Sequence, residues 1–223
     1  QEFIKRVFSS IVLIPITLYF IIKGSIFFIF FLCTIFVISA FEWLKLSQKF
    51  KLAKVLGIFF LFFSFSLAYL LREKFGLNVF LFIILISIFT DMGGYFFGKI
   101  FKGPKISKIS PNKTYSGVIG SFIISLVGGL IFLENISISL VSIDLLGSYD
   151  ANVIFFKVYT LLIILIISFI SQIGDLTVSY FKRVAKVKDT GKILPGHGGL
   201  LDRIDGIIFA VPFSYLILNF NIY

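Results

Sequence analysis

The chain has 223 residues, of which 58% are hydrophobic and only 14% charged, and its mean hydropathy is +1.05. A soluble domain has about 25% charged residues, so one aqueous core could not hide this many apolar side chains. Composition therefore excludes an ordinary soluble domain and predicts an integral membrane protein. The formal net charge is +10, and the charged residues lie between the apolar runs. This placement favours anionic lipid head groups and phosphate-bearing molecules over nucleic acid as partners.

Apolar runs long enough to cross a bilayer, for which about 20 residues are needed, recur along the chain. They predict spanning helices over 5–22, 25–42, 54–71, 77–99, 116–133, 153–181 and 204–221. The first run follows Lys5-Arg6 as a signal peptide would, but no small-residue cleavage site comes after it, so we interpret it as a membrane helix. The predicted fold class is an all-α polytopic membrane protein with about seven transmembrane helices, within a range of six to nine.

The distribution of basic residues predicts the orientation. If the N-terminus is cytoplasmic, 17 of the 21 basic residues fall on inside segments and four on outside segments. This bias fits the positive-inside rule. The basic loops 99–115 and 182–203 would then both face the cytoplasm.

Two of the predicted helices carry polar residues at steps of three and four, which places them on one helical face. They are Ser87, Asp91, Gly94, Tyr95 and Gly98 in the fourth helix, and Ser168, Ser171, Gln172, Asp175 and Ser179 in the sixth. Close helix packing is the better explanation of the glycines and serines. Because ionisable residues inside a membrane are costly, Asp91 and Asp175 instead predict inward faces that meet each other or a wet cavity.

The loop 99–115 contains Ser110-Pro111-Asn112-Lys113-Thr114, which is typical of a turn followed by a helix start. Lysine, hydroxyl groups and free backbone amides at a helix start suit an anion. An ordinary basic loop that touches lipid phosphate is an equally good interpretation.

The most polar stretch is 179–205, with six basic residues, three acids, four glycines and the only histidine. Asp202 and Asp205 would share a face on a helix, and with Asp175 they could converge at the membrane edge. Such oxygen ligands suit a divalent cation such as Mg²⁺ together with substrate phosphates. The alternative is that Asp202 and Asp205 form ion pairs with Arg203 or Lys188.

Positive charge and glycines surround these acids. The basic residues are Lys182, Arg183, Lys186, Lys188, Lys192 and Arg203. They could bind phosphate or form a patch at the lipid surface. The Gly196-His197-Gly198-Gly199 turn lets backbone approach a ligand closely, and His197 could contact phosphate or orient a neighbouring acid.

These residues together resemble a known family. The run Ser179-x-Phe181-Lys182-Arg183-x4-Lys188-Asp189-x-Gly191-x2-Leu194-Pro195-x-His197-Gly198-Gly199-Leu200-x-Asp202-Arg203-Ile204-Asp205 is similar to the signature of phosphatidate cytidylyltransferases, also called CDP-diacylglycerol synthases. The resemblance implies a polytopic, usually dimeric, inner-membrane enzyme that makes CDP-diacylglycerol and pyrophosphate from CTP and phosphatidate. It also implies a need for Mg²⁺, with K⁺ beside it, and a homodimer whose active site faces the cytoplasm.

The candidate site residues fall into three groups. Catalytic candidates are Asp175, Lys188, Asp189, His197, Asp202 and Arg203. Substrate-binding candidates are Lys113, Ser179, Lys182, Arg183, Gly198 and Gly199, and metal candidates are Asp175, Asp202 and Asp205. We divide the chain into N-terminal transmembrane helices, 1–75, and a catalytic transmembrane domain, 76–223.

Three other classes of protein are alternatives. An ion transporter or channel would explain Asp91 and Asp175 as ligands within the membrane but not the 182–203 cluster. A CDP-alcohol phosphotransferase would share Asp202-Arg203-Ile204-Asp205-Gly206, but the Ala-Arg that should follow is replaced by Ile207-Ile208. A membrane scaffold would leave the acids within the helices unexplained.

Overall fold

The fold was analysed in a computed structural model, which describes residues 2–106, 110, 113–135, 152–194, 196 and 198–220; of residues 2–8, 135 and 152–158 it describes the backbone alone. The helices are α1 (Glu2–Lys23), α2 (Ser25–Leu46), α3 (Lys51–Phe101), α4 (Tyr115–Asn135), α5 (Asn152–Val184), α6 (Leu201–Ile204) and α7 (Ile207–Phe220). Within these ranges extended pairing is limited to two isolated bridges, Lys105 with Thr114 and Leu194 with Gly198. The all-α prediction is confirmed.

The long helix α3 contains two of the predicted spans. It breaks at Gly76, whose backbone has φ 85° and ψ 172°, a conformation that glycine adopts without strain. Leu71 before the break and Phe80 after it belong to one buried core, so the two halves pack together. Helices α2, α3, most of α4 and most of α5 are long and apolar enough to cross a membrane. The division of the chain at residues 75 and 76 stays a prediction.

At one end of the bundle, Arg72 of α3 binds the last turn of α1. Its Nε donates to the carbonyl of Ile21 at 2.9 Å and its Nη2 to that of Ile22 at 3.2 Å. The guanidinium also lies over the Phe28 ring, 5.2 Å from its centroid. Arg72 thus satisfies carbonyls that the last turn of α1 leaves without helical partners. Lys74 binds Asn219 of α7 at 2.5 Å at the same end.

Small residues let α3 and α4 approach closely. A Cβ added to Gly93 would lie 2.4 Å from the carbonyl oxygen of Gly120, and one added to Gly94 would lie 2.9 Å from Ser121 Oγ. On the other side, Thr90 donates a hydrogen bond of 2.9 Å to Ser168 of α5. Close packing therefore accounts for Gly94 and Ser168, as the sequence favours.

Candidate active site

The polar residues collect at the opposite end of the bundle from Arg72. Helices α2, α3 and α5 end there, and α4 and α7 begin there. We call this the site end. The two loops that the charge pattern assigns to one side of the membrane, 99–115 and 182–203, both belong to it.

A pocket of about 280 Å³ opens at the site end between α3, α4 and α5. Its wall includes Asp91 and Gly94 of α3, Lys113 just before α4, and Gln172 and Asp175 of α5. The two polar faces predicted from the sequence therefore meet on one cavity. The other lining residues are Thr90, Tyr95, Ile106, Ser110, Thr114, Gly117, Val118 and Ser121.

Asp175 lies on this wall between a cation and a hydroxyl group. Lys113 Nζ is 2.6 Å from its Oδ2, and Ser179 Oγ donates to its Oδ1 at 3.1 Å. Lys113 is held by the start of α4, where Thr114 Oγ1 accepts from the backbone N–H of Gly117 at 3.2 Å. This is an N-cap hydrogen bond, so the helix start predicted around Thr114 is confirmed.

Asp202 lies in a more enclosed setting, on the short helix α6. Lys182 Nζ is 2.7 Å from Oδ1. Oδ2 accepts from the backbone N–H of Thr190 at 2.8 Å, from Thr190 Oγ1 at 3.0 Å and from the backbone N–H of Gly199 at 3.1 Å. The ion pair is thus with Lys182, 20 residues earlier, and not with the sequence neighbours Arg203 or Lys188 considered above.

The loop that carries these donors is folded by a few left-handed residues. Lys186 has φ 58° and Gly198 has φ 86°. Gly198 also accepts a backbone hydrogen bond of 3.0 Å from Leu194, which closes the turn. A Cβ on the buried Gly199 would lie 1.9 Å from Thr190 Oγ1, so glycine is needed there for the loop to close on Asp202.

A second buried acid, Glu42 of α2, lies behind this loop and was missed by the sequence analysis. Its side chain is buried, and it accepts hydrogen bonds from Thr190 Oγ1 at 2.8 Å and from the backbone N–H groups of Leu200 and Leu201 at 3.0 and 2.8 Å. A signal was present: Glu42 is a carboxylate within an apolar spanning segment, where ionisable residues are usually functional.

Asp205 is buried next to the pocket. Its Oδ1 accepts from the backbone N–H of Gly206 at 2.9 Å, and it interacts electrostatically with Asp175 and Asp91. In the described part of the chain, no three His, Cys, Asp or Glu side chains are grouped closely enough to hold a metal by themselves. Mg²⁺ commonly uses one or two carboxylates and completes its shell with water and substrate phosphate. Asp175 and Asp202 offer carboxylate oxygens of this type, but both are paired with lysines in this structure, at 2.6 and 2.7 Å, and a metal would have to displace Lys113 and Lys182.

The remaining predicted residues are more peripheral. Arg183, Lys188, Asp189 and Arg203 have exposed side chains on or beside the loop. Arg203 is close enough to Asp91 for a weak electrostatic interaction. His197 lies outside the described residues, and its assignment as a catalytic residue stays a prediction.

Comparison with known proteins places the chain among related sequences. Residues 47–221 match the model of the cytidylyltransferase family. A phosphatidate cytidylyltransferase of Brucella suis biovar 1 is 39% identical over 163 residues, which are 72% of this chain and 54% of that protein. The protein of the same name from Bacillus subtilis is 39% identical over 147 residues, 66% of this chain and 49% of that one.

A third such protein, from Staphylococcus aureus, is 40% identical over 163 residues, 73% of this chain and 55% of the relative. The chain therefore spans about half the length of the curated relatives it matches. The matched range 47–221 contains both lysine–carboxylate pairs, Lys113–Asp175 and Lys182–Asp202. On this match the chain belongs to the cytidylyltransferase family.

Proposed function

We propose that the protein transfers a cytidylyl group from CTP to phosphatidate, giving CDP-diacylglycerol and pyrophosphate. The observation that carries the proposal is the pairing of Lys113 with Asp175 and of Lys182 with Asp202 within one family-matched region at one end of a membrane bundle. The substrates are inferred from the names of the relatives. The two lysine–carboxylate pairs provide the charged groups that such anionic substrates need.

The reaction joins two anions, so its main demand is charge neutralisation and alignment. A phosphate oxygen of phosphatidate would attack the α-phosphorus of CTP. A new P–O bond forms, the bond from the α-phosphorus to the bridging oxygen breaks, and pyrophosphate leaves with that electron pair. Phosphatidate is already anionic at neutral pH, so no strong base has to remove a proton.

The lysines would turn from the carboxylates towards the substrates. Lys113 on the pocket wall and Lys182 beside the loop each carry a mobile point charge suited to phosphate oxygens. Arg183, Lys188 and Arg203 would add positive charge at the rim, and Arg side chains can bind phosphate with two parallel hydrogen bonds. The loop backbone at Gly198 and Gly199 would approach the nucleotide closely. The imidazole of His197 and the carboxylate of Asp189 would act on the same ligand.

Mg²⁺ is the metal that this donor set would hold, through Asp175 and Asp202 with Asp205 nearby. When bound, it would neutralise the triphosphate and stabilise charge on the departing pyrophosphate. The carboxylates contribute by holding negative charge at fixed points on α5 and α6. Ser179 contributes by keeping Asp175 oriented towards the pocket.

The setting of the reaction is part of the same proposal. The protein would lie in the inner membrane as a homodimer with the site end towards the cytoplasm, where CTP is found. The bias of 17 basic residues against four supports this orientation. Phosphatidate would enter from the bilayer, with its head group at the pocket between α3, α4 and α5.

Purified protein in detergent, supplied with phosphatidate and radiolabelled CTP, tests the proposal. We expect a labelled lipid and free pyrophosphate that both require Mg²⁺, and no labelled lipid when diacylglycerol replaces phosphatidate. Absence of any CDP-lipid at saturating Mg²⁺ would reject the proposal. Ion flux through reconstituted vesicles without lipid product would favour the transporter alternative.

A further inference from the structure

We propose that Glu42 is a positioning residue of the active site, which holds the loop 190–201 so that Asp202 is correctly placed. The residue lies on α2, outside the range 47–221 that the family model matches. This inference rests on the proposed function, because it assigns to Asp202 a role in that reaction.

Both carboxylate oxygens of Glu42 are used by the loop. Oε1 accepts from the backbone N–H of Leu200 at 3.0 Å, and Oε2 accepts from that of Leu201 at 2.8 Å and from Thr190 Oγ1 at 2.8 Å. The Glu42 side chain is only 2% exposed. Hydrogen bonds to a buried charged acceptor are about twice as strong as neutral ones, so the loop is fixed at two points separated by ten residues.

One donor, the Thr190 hydroxyl group, connects Glu42 to Asp202. Thr190 Oγ1 lies 2.8 Å from Glu42 Oε2 and 3.0 Å from Asp202 Oδ2. A hydroxyl group has one proton, so it can donate to only one of the two carboxylates at a time. The backbone N–H of Thr190 and that of Gly199 bind Asp202 at 2.8 and 3.1 Å, so any shift of the loop moves the donors of Asp202 as well.

Two glycines of the loop leave space for the Glu42 side chain. A Cβ on Gly191 would lie 2.4 Å from Glu42 Oε1, and one on Gly199 would lie 2.7 Å from Oε2. Glutamine would keep the volume but present an NH₂ group to donors that need an acceptor. Aspartate is one methylene shorter, which moves the carboxylate away from the loop N–H groups.

Glu42→Gln is the main test, and Glu73→Gln is the matched control, since Glu73 is an exposed acid paired with Arg72 at the opposite end of the bundle. In Glu42→Gln we expect kcat to fall about 10- to 100-fold, with KM for CTP and phosphatidate within about threefold of the wild type, because misplacement of a reacting group costs this much in rate. The control should keep wild-type kcat.

Limited trypsin digestion in detergent gives a readout that does not depend on activity. Lys188 and Lys192 are exposed cleavage points in the loop, and we expect Glu42→Gln to be cut there several-fold faster than the wild type and Glu73→Gln. A purely structural role would lower the melting temperature and the yield of folded protein but leave kcat per folded molecule unchanged.

Substitutions at Thr190 keep the test informative if Glu42→Gln does not fold. Thr190→Ser retains the hydroxyl group and should retain kcat, whereas Thr190→Val removes it and should lower kcat about 10-fold, the loss expected for misplacing Asp202. In the double variant with Glu42→Gln the two effects should be less than additive, since they break one network. If Glu42→Gln, or Thr190→Val in its place, shows wild-type kcat, the inference is overturned, whatever its rate of cleavage.

The two proposals fail in different ways. A wild-type protein that makes no CDP-lipid overturns the proposed function, and unchanged trypsin cleavage in the Glu42 and Thr190 variants then still overturns the anchoring of the loop. An active wild type with an equally active Glu42→Gln overturns only the role of Glu42.

Discussion

Asp175 and Asp202 are both carboxylates paired with lysines, but their surroundings differ. The side chain of Asp175 is 26% exposed on the wall of an open pocket and has one lysine and one hydroxyl group as partners. The side chain of Asp202 is 8% exposed, and besides Lys182 it accepts two backbone hydrogen bonds from the loop and shares the Thr190 hydroxyl group with Glu42. Asp175 is therefore the more accessible of the two carboxylates, and Asp202 is the one more tightly bound to the loop.

The difference follows from the elements that carry the two residues. Asp175 lies within the continuous helix α5, whose backbone hydrogen bonds fix its position. The chain just before α6, which carries Asp202, is a loop with only isolated backbone pairing, so its N–H groups need side-chain acceptors. Asp202 and Glu42 supply those acceptors. We refer below to the pocket side, centred on Asp175, and the loop side, centred on Asp202.

The largest expected effect is that of Asp202→Asn. The amide would turn an NH₂ group towards Lys182 or towards the loop donors, so we expect kcat to fall by about 100-fold or more and tryptic cleavage at Lys188 and Lys192 to accelerate. The measurements are CDP-lipid formation and digestion in detergent. Full activity at saturating Mg²⁺ would contradict both the metal assignment and the loop role.

Asp175→Asn should reduce activity about as strongly, by about 100-fold, but without loosening the loop. The change removes charge from the pocket wall and frees Lys113, while the donors around Asp202 remain in place. The comparison is made by running the same two assays on both variants. Equal acceleration of cleavage in the two variants would show that the pocket side and the loop side are not separate.

Gly199→Ala comes next in size and acts on the loop side alone. Its Cβ would collide with Thr190 Oγ1, so the loop must shift and kcat should fall about 10-fold. Gly98→Ala is the comparison, because its Cβ would lie 3.2 Å from Thr114 Oγ1, a tight contact that needs a shift of only a few tenths of an ångström instead of the collision at Gly199. Wild-type kcat in Gly199→Ala would indicate that the loop tolerates displacement.

The smallest effect on activity is expected for Gly93→Ala, which tests the helix contact beneath the pocket side. The added methyl group would meet the carbonyl oxygen of Gly120 at 2.4 Å. Overpacking of this kind costs about 1–3 kcal/mol, so we expect a lower melting temperature in detergent, with kcat per folded molecule within about twofold. An unchanged melting temperature would mean that α3 and α4 can separate at little cost.

The local pattern of apolar and polar residues was sufficient to predict the helices and part of the site. Apolar runs located each predicted span on an observed helix, and Gly76, between 54–71 and 77–99, is where α3 breaks. The three- and four-residue spacing of Asp91 and Asp175 placed them on faces that meet in one pocket. These features could be predicted because the thickness of the bilayer sets the length of a spanning helix, and the helical period sets which residues share one face of it.

The partners of the charged residues could not be read in the same way. Asp202 has Arg203 beside it in the chain, yet its ion pair is with Lys182 on α5. Lys113 reaches Asp175 across 62 positions of sequence, and nothing in the local pattern of either residue specifies the other. Side-chain pairing depends on how separate helices pack, and that information is distributed over the whole chain.

By itself, then, the amino-acid sequence determined that this is a helical membrane protein with a charged, glycine-rich end, because hydrophobicity and charge act locally along the chain. Only the tertiary structure decided that Glu42 contacts the loop before Asp202, since its hydrogen bond with Thr190 joins residues 148 positions apart. A buried carboxylate needs donors wherever the fold can bring them, and here the fold brings α2 against the loop that holds Asp202.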